Sequence, residues 1–145
     1  MVRQRILQRI AALKPDTERR WGRMTCHQML CHLSDSYRVS MGEKVVQPAT
    51  GPLQCTFVKW IALYGPAPWP KGIQTRPEVE QGKGGTRPSD FRRDRTDLIR
   101  IIDLFADPNR QFEWRPHPVF GQLREREWLR WGFLHADHHL RQFGV

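Results

Sequence analysis

The chain has 145 residues, 39% of them apolar and 27% charged, with a formal net charge of +9. That length suits one domain, spanning 1–145, with room for a real core and one site. The balance excludes a disordered chain, and the lack of a long apolar run excludes a helical membrane span.

The positive charge raises the question of nucleic acid, because proteins collect phosphates with clustered Arg and Lys. Here the arginines are scattered, and the densest group, "FRRDRTDLIR", interleaves aspartates as a solvated helix face does, so nucleic acid is not the expected partner. The cysteines number three, at 26, 31 and 55, without CxxC spacing. They encode neither a disulfide framework nor a thiolate zinc site and point to a reducing cytoplasm.

In chain order, "MVRQRILQRIAALKPD" places Ile6, Ile10 and Leu13 at helical spacing until Pro15 ends the run. It lacks the apolar centre and small-residue cleavage site of a secretory signal, so it reads as a first helix. In "MTCHQML", Thr25 can cap a second helix with Gln28 reaching back, and Met24 with Met29 fit a hydrophobic staple. That helix is expected to run to Met41, burying Cys26, Leu30, Leu33 and Tyr37 before Gly42 stops it.

Between Gly42 and Ser89 lie seven of the eleven prolines and seven of the eleven glycines, which no single regular element accommodates. Within this stretch "CTFVKWIALYG" reads as a short apolar helix closed by Gly65, and the rest reads as a long crossover loop. Loops of this length suggest function or a partner. The "GKGG" cluster has no preceding strand, so flexibility is a better reading of it than a phosphate cradle.

Ser89 or Asp90 can cap a third long helix with Phe91, Leu98, Ile102 and Phe105 on one face, ended by Asp107-Pro108. A fourth is expected from about Leu123 to Phe143. Four amphipathic helices, no strand run and one long crossover predict an all-α four-helix bundle.

Three of the six histidines fall within the last of these helices. His135 and His139 lie one turn apart on one face with Trp128, Trp131 and Gln142 near the same meridian, so they point into the bundle. Two imidazoles at i and i+4 can present nitrogens to one divalent ion. His138 is about 60° away from His135, which spacing alone does not exclude. Gly132, one turn below, would leave room for a bound group. A partner is expected on the second helix, where His27 and His32 compete and helical phase modestly favours His32. The plainer reading makes the histidines polar side chains satisfied at the bundle's end. His117, before a proline in a loop, reads as structural or exposed.

The segments "CHLSDSYR" and "HPVFGQLREREWLRWGFLHADHHLRQFG" resemble the DinB-like superfamily of metalloenzymes, in particular a branch of unassigned function with H-P-x-F-G-x-L leading into E-W and H-x-x-H-H. The resemblance covers essentially the whole chain. It implies an up-down-down-up four-helix bundle holding one divalent ion, with His32, His135 and His139 as ligands and His138 as a neighbour. One departure is Arg124, where relatives often place Ser or Thr as the cap of the last helix.

Three neutral imidazoles leave an ion its full charge and an open position, as in catalytic sites. Such an ion lowers the pKa of a coordinated water or thiol, the basis of hydrolysis or of group transfer to a thiol, and the resemblance implies both uses. Zinc, nickel, iron and manganese all accept imidazole. Asp35, one turn beyond His32, is the candidate catalytic residue, orienting that ring or assisting proton transfer, with a surface carboxylate as the plain alternative. Gln142 and Trp131 are candidates for the cavity wall or for packing. Cys31 faces about 100° away from His32, which argues against a nucleophile.

The expected function is thus a metal-dependent hydrolase or thiol S-transferase acting on a small molecule, with a low-molecular-weight thiol as a candidate partner. The alternative is a non-catalytic bundle that binds a ligand or partner, including a homodimer formed through its tryptophans and crossover segment.

Overall fold

A computed structural model describes residues 2–145. The described chain is all-helical and contains no β-strand. Its five α-helices are α1 (Val2–Ala12), α2 (Cys26–Met41), α3 (Lys59–Tyr64), α4 (Phe91–Phe105) and α5 (Glu125–Gln142). One turn of π-helix (Gln54–Val58) leads into α3, and a 3-10 turn covers Pro77–Val79.

The ends of these helices follow local chemistry. At α2 the Thr25 hydroxyl accepts from the Gln28 N–H (3.1 Å) and the Gln28 side chain accepts from the Thr25 N–H (2.9 Å), closing the expected capping box. Its other end stops at Gly42, whose φ of 80° is left-handed and costs a glycine little. At α4 the Asp90 carboxylate caps the Arg93 N–H at 2.8 Å. The Arg124 side chain has no acceptor to offer α5, but Glu127 compensates by accepting from the Arg124 N–H at 2.8 Å, keeping half of a capping box.

The long helices meet around a shared core. α4 and α5 each pack on both α1 and α2, and α3 lies against α5. Ile6 and Ile10 of α1, Leu30 and Leu33 of α2, Leu98 and Ile102 of α4, and Trp128 and Leu140 of α5 are all buried in one cluster. Polar ties align α1 with the end of α5. The Arg9 guanidinium donates to the Asp137 carboxylate and to the Val145 carbonyl, each at 2.7 Å.

The segment between α2 and α4 folds back over α2. Buried Asp35 anchors it by accepting from the Thr86 N–H, the Thr86 hydroxyl and Lys44 Nζ at 2.7, 2.7 and 2.8 Å. This places the Pro77–Val79 turn against α2. No helix among the described residues is long and apolar enough to cross a membrane.

Candidate metal centre

α5 carries His135 and His139 one turn apart on its inner side, and their Nε2 atoms lie 3.2 Å from each other. α2 brings His32 to the same point. Its ring centroid is 5.3 Å from that of His135 and 4.8 Å from that of His139, and one ring nitrogen of each histidine lies within 4.8 Å of the others. The competing His27 is on the other side of α2.

The tautomers follow from the outer partners. His32 Nδ1 is 3.0 Å from the Val79 carbonyl. A carbonyl only accepts, so Nδ1 carries the proton and the Nε2 lone pair is left for the cluster. His139 Nδ1 is 3.2 Å from Gln142 Oε1, while Gln142 Nε2 donates to the Trp21 carbonyl at 2.8 Å. That second bond fixes which end of the amide faces the imidazole, so His139 Nδ1 donates and its Nε2 also presents a lone pair. His135 Nδ1 is out of reach of water and has no hydrogen-bond partner among the described residues.

Burial keeps the rings neutral. Desolvation holds the pKa of His32 below the usual histidine value. Those of His135 and His139 lie well below it, burial acting first and the neighbouring imidazoles adding to it. A metal requires this unprotonated form. Two nitrogens each bound to one tetrahedral ion at about 2.0–2.1 Å stand about 3.3 Å apart, which matches the observed Nε2 pair. With His139 Nε2 proton-free, a neutral His135 can donate its Nε2–H to it across the same 3.2 Å, and a cation bound between the two nitrogens would take the place of that proton. The donor set therefore fits a divalent ion.

Other candidate residues fall around this group rather than in it. His138 packs edge-on to Trp21 (centroids 4.8 Å apart), on the outer side of His139. Asp35 takes its three donors from Thr86 and Lys44, and the His32 ring is oriented by the Val79 carbonyl. Gly132 does not open space at the histidines. A Cβ there would stand 2.6 Å from Phe105 Cε1 and 3.0 Å from Tyr37 Cε1, and the Gly132 carbonyl accepts from the Tyr37 hydroxyl at 2.7 Å. The missing side chain serves packing against α2 and α4 instead.

On the far side of α2, His27 Nε2 lies 2.7 Å from Asp94 Oδ2, and the Cys31 thiol donates to the same oxygen at 3.6 Å. Burial, reinforced by Asp94, pushes the Cys31 thiol up to about 12, so it is no thiolate nucleophile.

A cavity of about 550 Å³ opens beside the three histidines. Trp131, 4.8 Å from His135, forms part of its wall. Trp69, from the crossover segment, lies 6.0 Å from both His135 and His138 and is pinned by a 2.7 Å bond from its Nε1 to the Ala62 carbonyl. His117 lines the same cavity although it is only 8% exposed. Its Nδ1 accepts from the Val119 and Phe120 N–H groups, both at 3.1 Å, within a tight turn closed by the His117–Gly121 backbone pair.

The structural alternative is the one that holds for His117, and the H-P-x-F-G spacing carries its signal, because an imidazole preceding a proline turn can accept the two following N–H groups. The presence of His117 and Arg76 in the cavity wall and the Val79 carbonyl at His32 have no local signal.

No curated protein and no solved structure matches the chain. Residues 4–144 match a family described as "Protein of unknown function (DUF1569)", and the chain belongs to that family.

Proposed function

We propose that the protein is a divalent-metal-dependent enzyme whose ion is held by His32, His135 and His139, within a four-helix bundle of the DinB-like kind formed by α1, α2, α4 and α5. The observation that carries this reading is the set of outer partners: the Val79 carbonyl and Gln142 Oε1 occupy the far nitrogens of two rings and turn their Nε2 lone pairs toward the third. Histidines satisfied merely as core residues have no need of that convergence.

When bound, the metal supplies a Lewis acid that acidifies a coordinated water or thiol, chemistry suited to a hydrolase or to a thiol S-transferase. The chain's own residues supply the rest. Trp69 and Trp131 exclude water, the neutral His32 and His139 rings keep their proton-free nitrogens inward, and the cavity admits a small molecule beside them. Asp35 acts as a positioning residue, holding the crossover segment whose Val79 carbonyl orients His32.

The direct test is metal analysis of protein purified without a histidine tag. One equivalent of metal is expected in the parent protein and in a His27→Asn control, with loss in His32→Ala and His135→Ala. Equal metal content in all four proteins refutes the assignment. A second reading, a homodimer joined through the crossover segment, is favoured by the outward faces of Phe57 and Trp60, each 59% exposed. Sedimentation analysis decides it.

A further inference from the structure

The cavity beside the histidines is apolar over most of its wall, where Val39, Ile61, Val119 and Phe120 meet Trp69 and Trp131. Outside the histidine cluster, where His135 Nδ1 is also unpaired, its buried side-chain polar atoms without a partner share one property. Arg76 and Trp128 both line the cavity, and the Arg76 Nε and Trp128 Nε1 groups are buried without a hydrogen-bond partner. Both can only donate. His117 is the third. Its Nδ1 is committed to the Val119 and Phe120 N–H groups, so its proton sits on Nε2, the nitrogen left for a ligand.

Arg76 is also free of ion pairs. Glu78 is the nearby acid: its Oε1 accepts from the Gln47 N–H at 2.8 Å, its Oε2 has no hydrogen-bond partner, and the Arg76 charge acts on its carboxyl from beyond ion-pair distance. The guanidinium Nε on this wall, beside two neutral donors, has no acceptor within hydrogen-bond reach. Arg76 immediately precedes the Pro77–Val79 turn whose Val79 carbonyl orients His32, so its wall adjoins the histidine cluster.

We propose that the cavity takes an apolar carboxylic acid, with its carboxylate at Arg76, its hydrocarbon or aromatic body against the tryptophans and valines, and its far end beside the three histidines. This rests on the reading of the histidine cavity as a small-molecule site and adds the chemical class of its ligand. A polar, multiply charged thiol compound fits such a wall poorly, because only one fixed charge faces it.

The test compares three probes of matched shape, 4-phenylbutyrate, 4-phenylbutan-1-ol and 4-phenylbutylamine. Their binding is followed by calorimetry and by quenching of tryptophan fluorescence, on both zinc-loaded and chelator-stripped protein. The acid is expected to bind about tenfold or more tighter than the alcohol, with the amine weakest. Arg76→Gln should abolish that preference by weakening the acid far more than the alcohol, and Arg76→Lys should retain part of it. Circular dichroism confirms that both variants are folded.

Equal affinities, no binding of any probe, or a preference that survives Arg76→Gln would each overturn the proposal; the last outcome, if confined to the zinc-loaded protein, would assign the preference to the metal. Failure of zinc uptake with the Arg76-dependent preference intact removes the metal reading and leaves this one standing. Zinc uptake without that preference does the reverse.

Discussion

Gln142 holds His139 from a distance of 3.2 Å, and it does so with an amide that the Trp21 carbonyl has already turned. The link between α1 and α2 thereby sets which nitrogen of an α5 histidine carries the proton. Replacing Gln142 by Leu keeps the bulk but removes both bonds. Loss of such an outer partner lowers metal affinity roughly 10–100-fold. Competition with a chromophoric chelator measures this, and an unchanged dissociation constant would show that the orientation of His139 comes from packing alone.

The crossover anchor at Asp35 makes a separate prediction. Asp35→Asn removes the charge partner of Lys44 and sets an amide N–H against donors on Thr86 or Lys44. Breaking a buried pair from one side costs about 3 kcal/mol. Because this segment carries Val79, zinc affinity should fall together with the urea midpoint. A variant with wild-type zinc affinity and a lowered midpoint would separate the anchor from the site.

Gly132→Ala tests where that glycine faces. Alanine gains up to about 1 kcal/mol of helix propensity, but crowding Phe105 and Tyr37 costs about 1–3 kcal/mol. The packing cost outweighs the gain, and the melting temperature should drop by several degrees while one equivalent of metal is still bound. A variant that melts unchanged but loses its metal would return Gly132 to the site.

Stability of the metal-free protein should depend on pH through the buried imidazoles. Burial lowers the His117 pKa to about 3, and His32, His135 and His139 are also held below the ordinary value. A histidine whose pKa is depressed by folding takes up its proton more readily when unfolded. Stability is therefore complete above about pH 6.5 and declines as pH falls toward the folded values. At pH 5 the His117 contribution alone amounts to about 2 kcal/mol. Urea midpoints at pH 7.5, 6 and 5 should decline in that order, and a flat series would mean that the rings are more hydrated than their enclosure implies.

Much of this arrangement was legible in the sequence, because it depends on short spacings. Thr25 with Gln28, Gly42, and the pairing of His135 with His139 each follow from helical geometry within a turn, whereas the phase of α2 only modestly favours His32 over His27 and the resemblance to the DinB-like superfamily is what implied it as a ligand. The partners that orient the rings were not legible. Val79 reaches His32 across 47 residues and Thr86 reaches Asp35 across 51, through a proline-rich segment with no periodicity. Gly132 misled for a related reason. Periodicity shows that a helix has an inner side, but Phe105 and Tyr37 come from other helices and share that side with the histidines.

The turn at residues 76–79 has two duties. It contributes a guanidinium to the wall that a guest would touch, and a backbone oxygen to the imidazole of His32. A substitution that shifts this turn therefore acts on the cavity wall and on the orientation of the His32 ring at the same time.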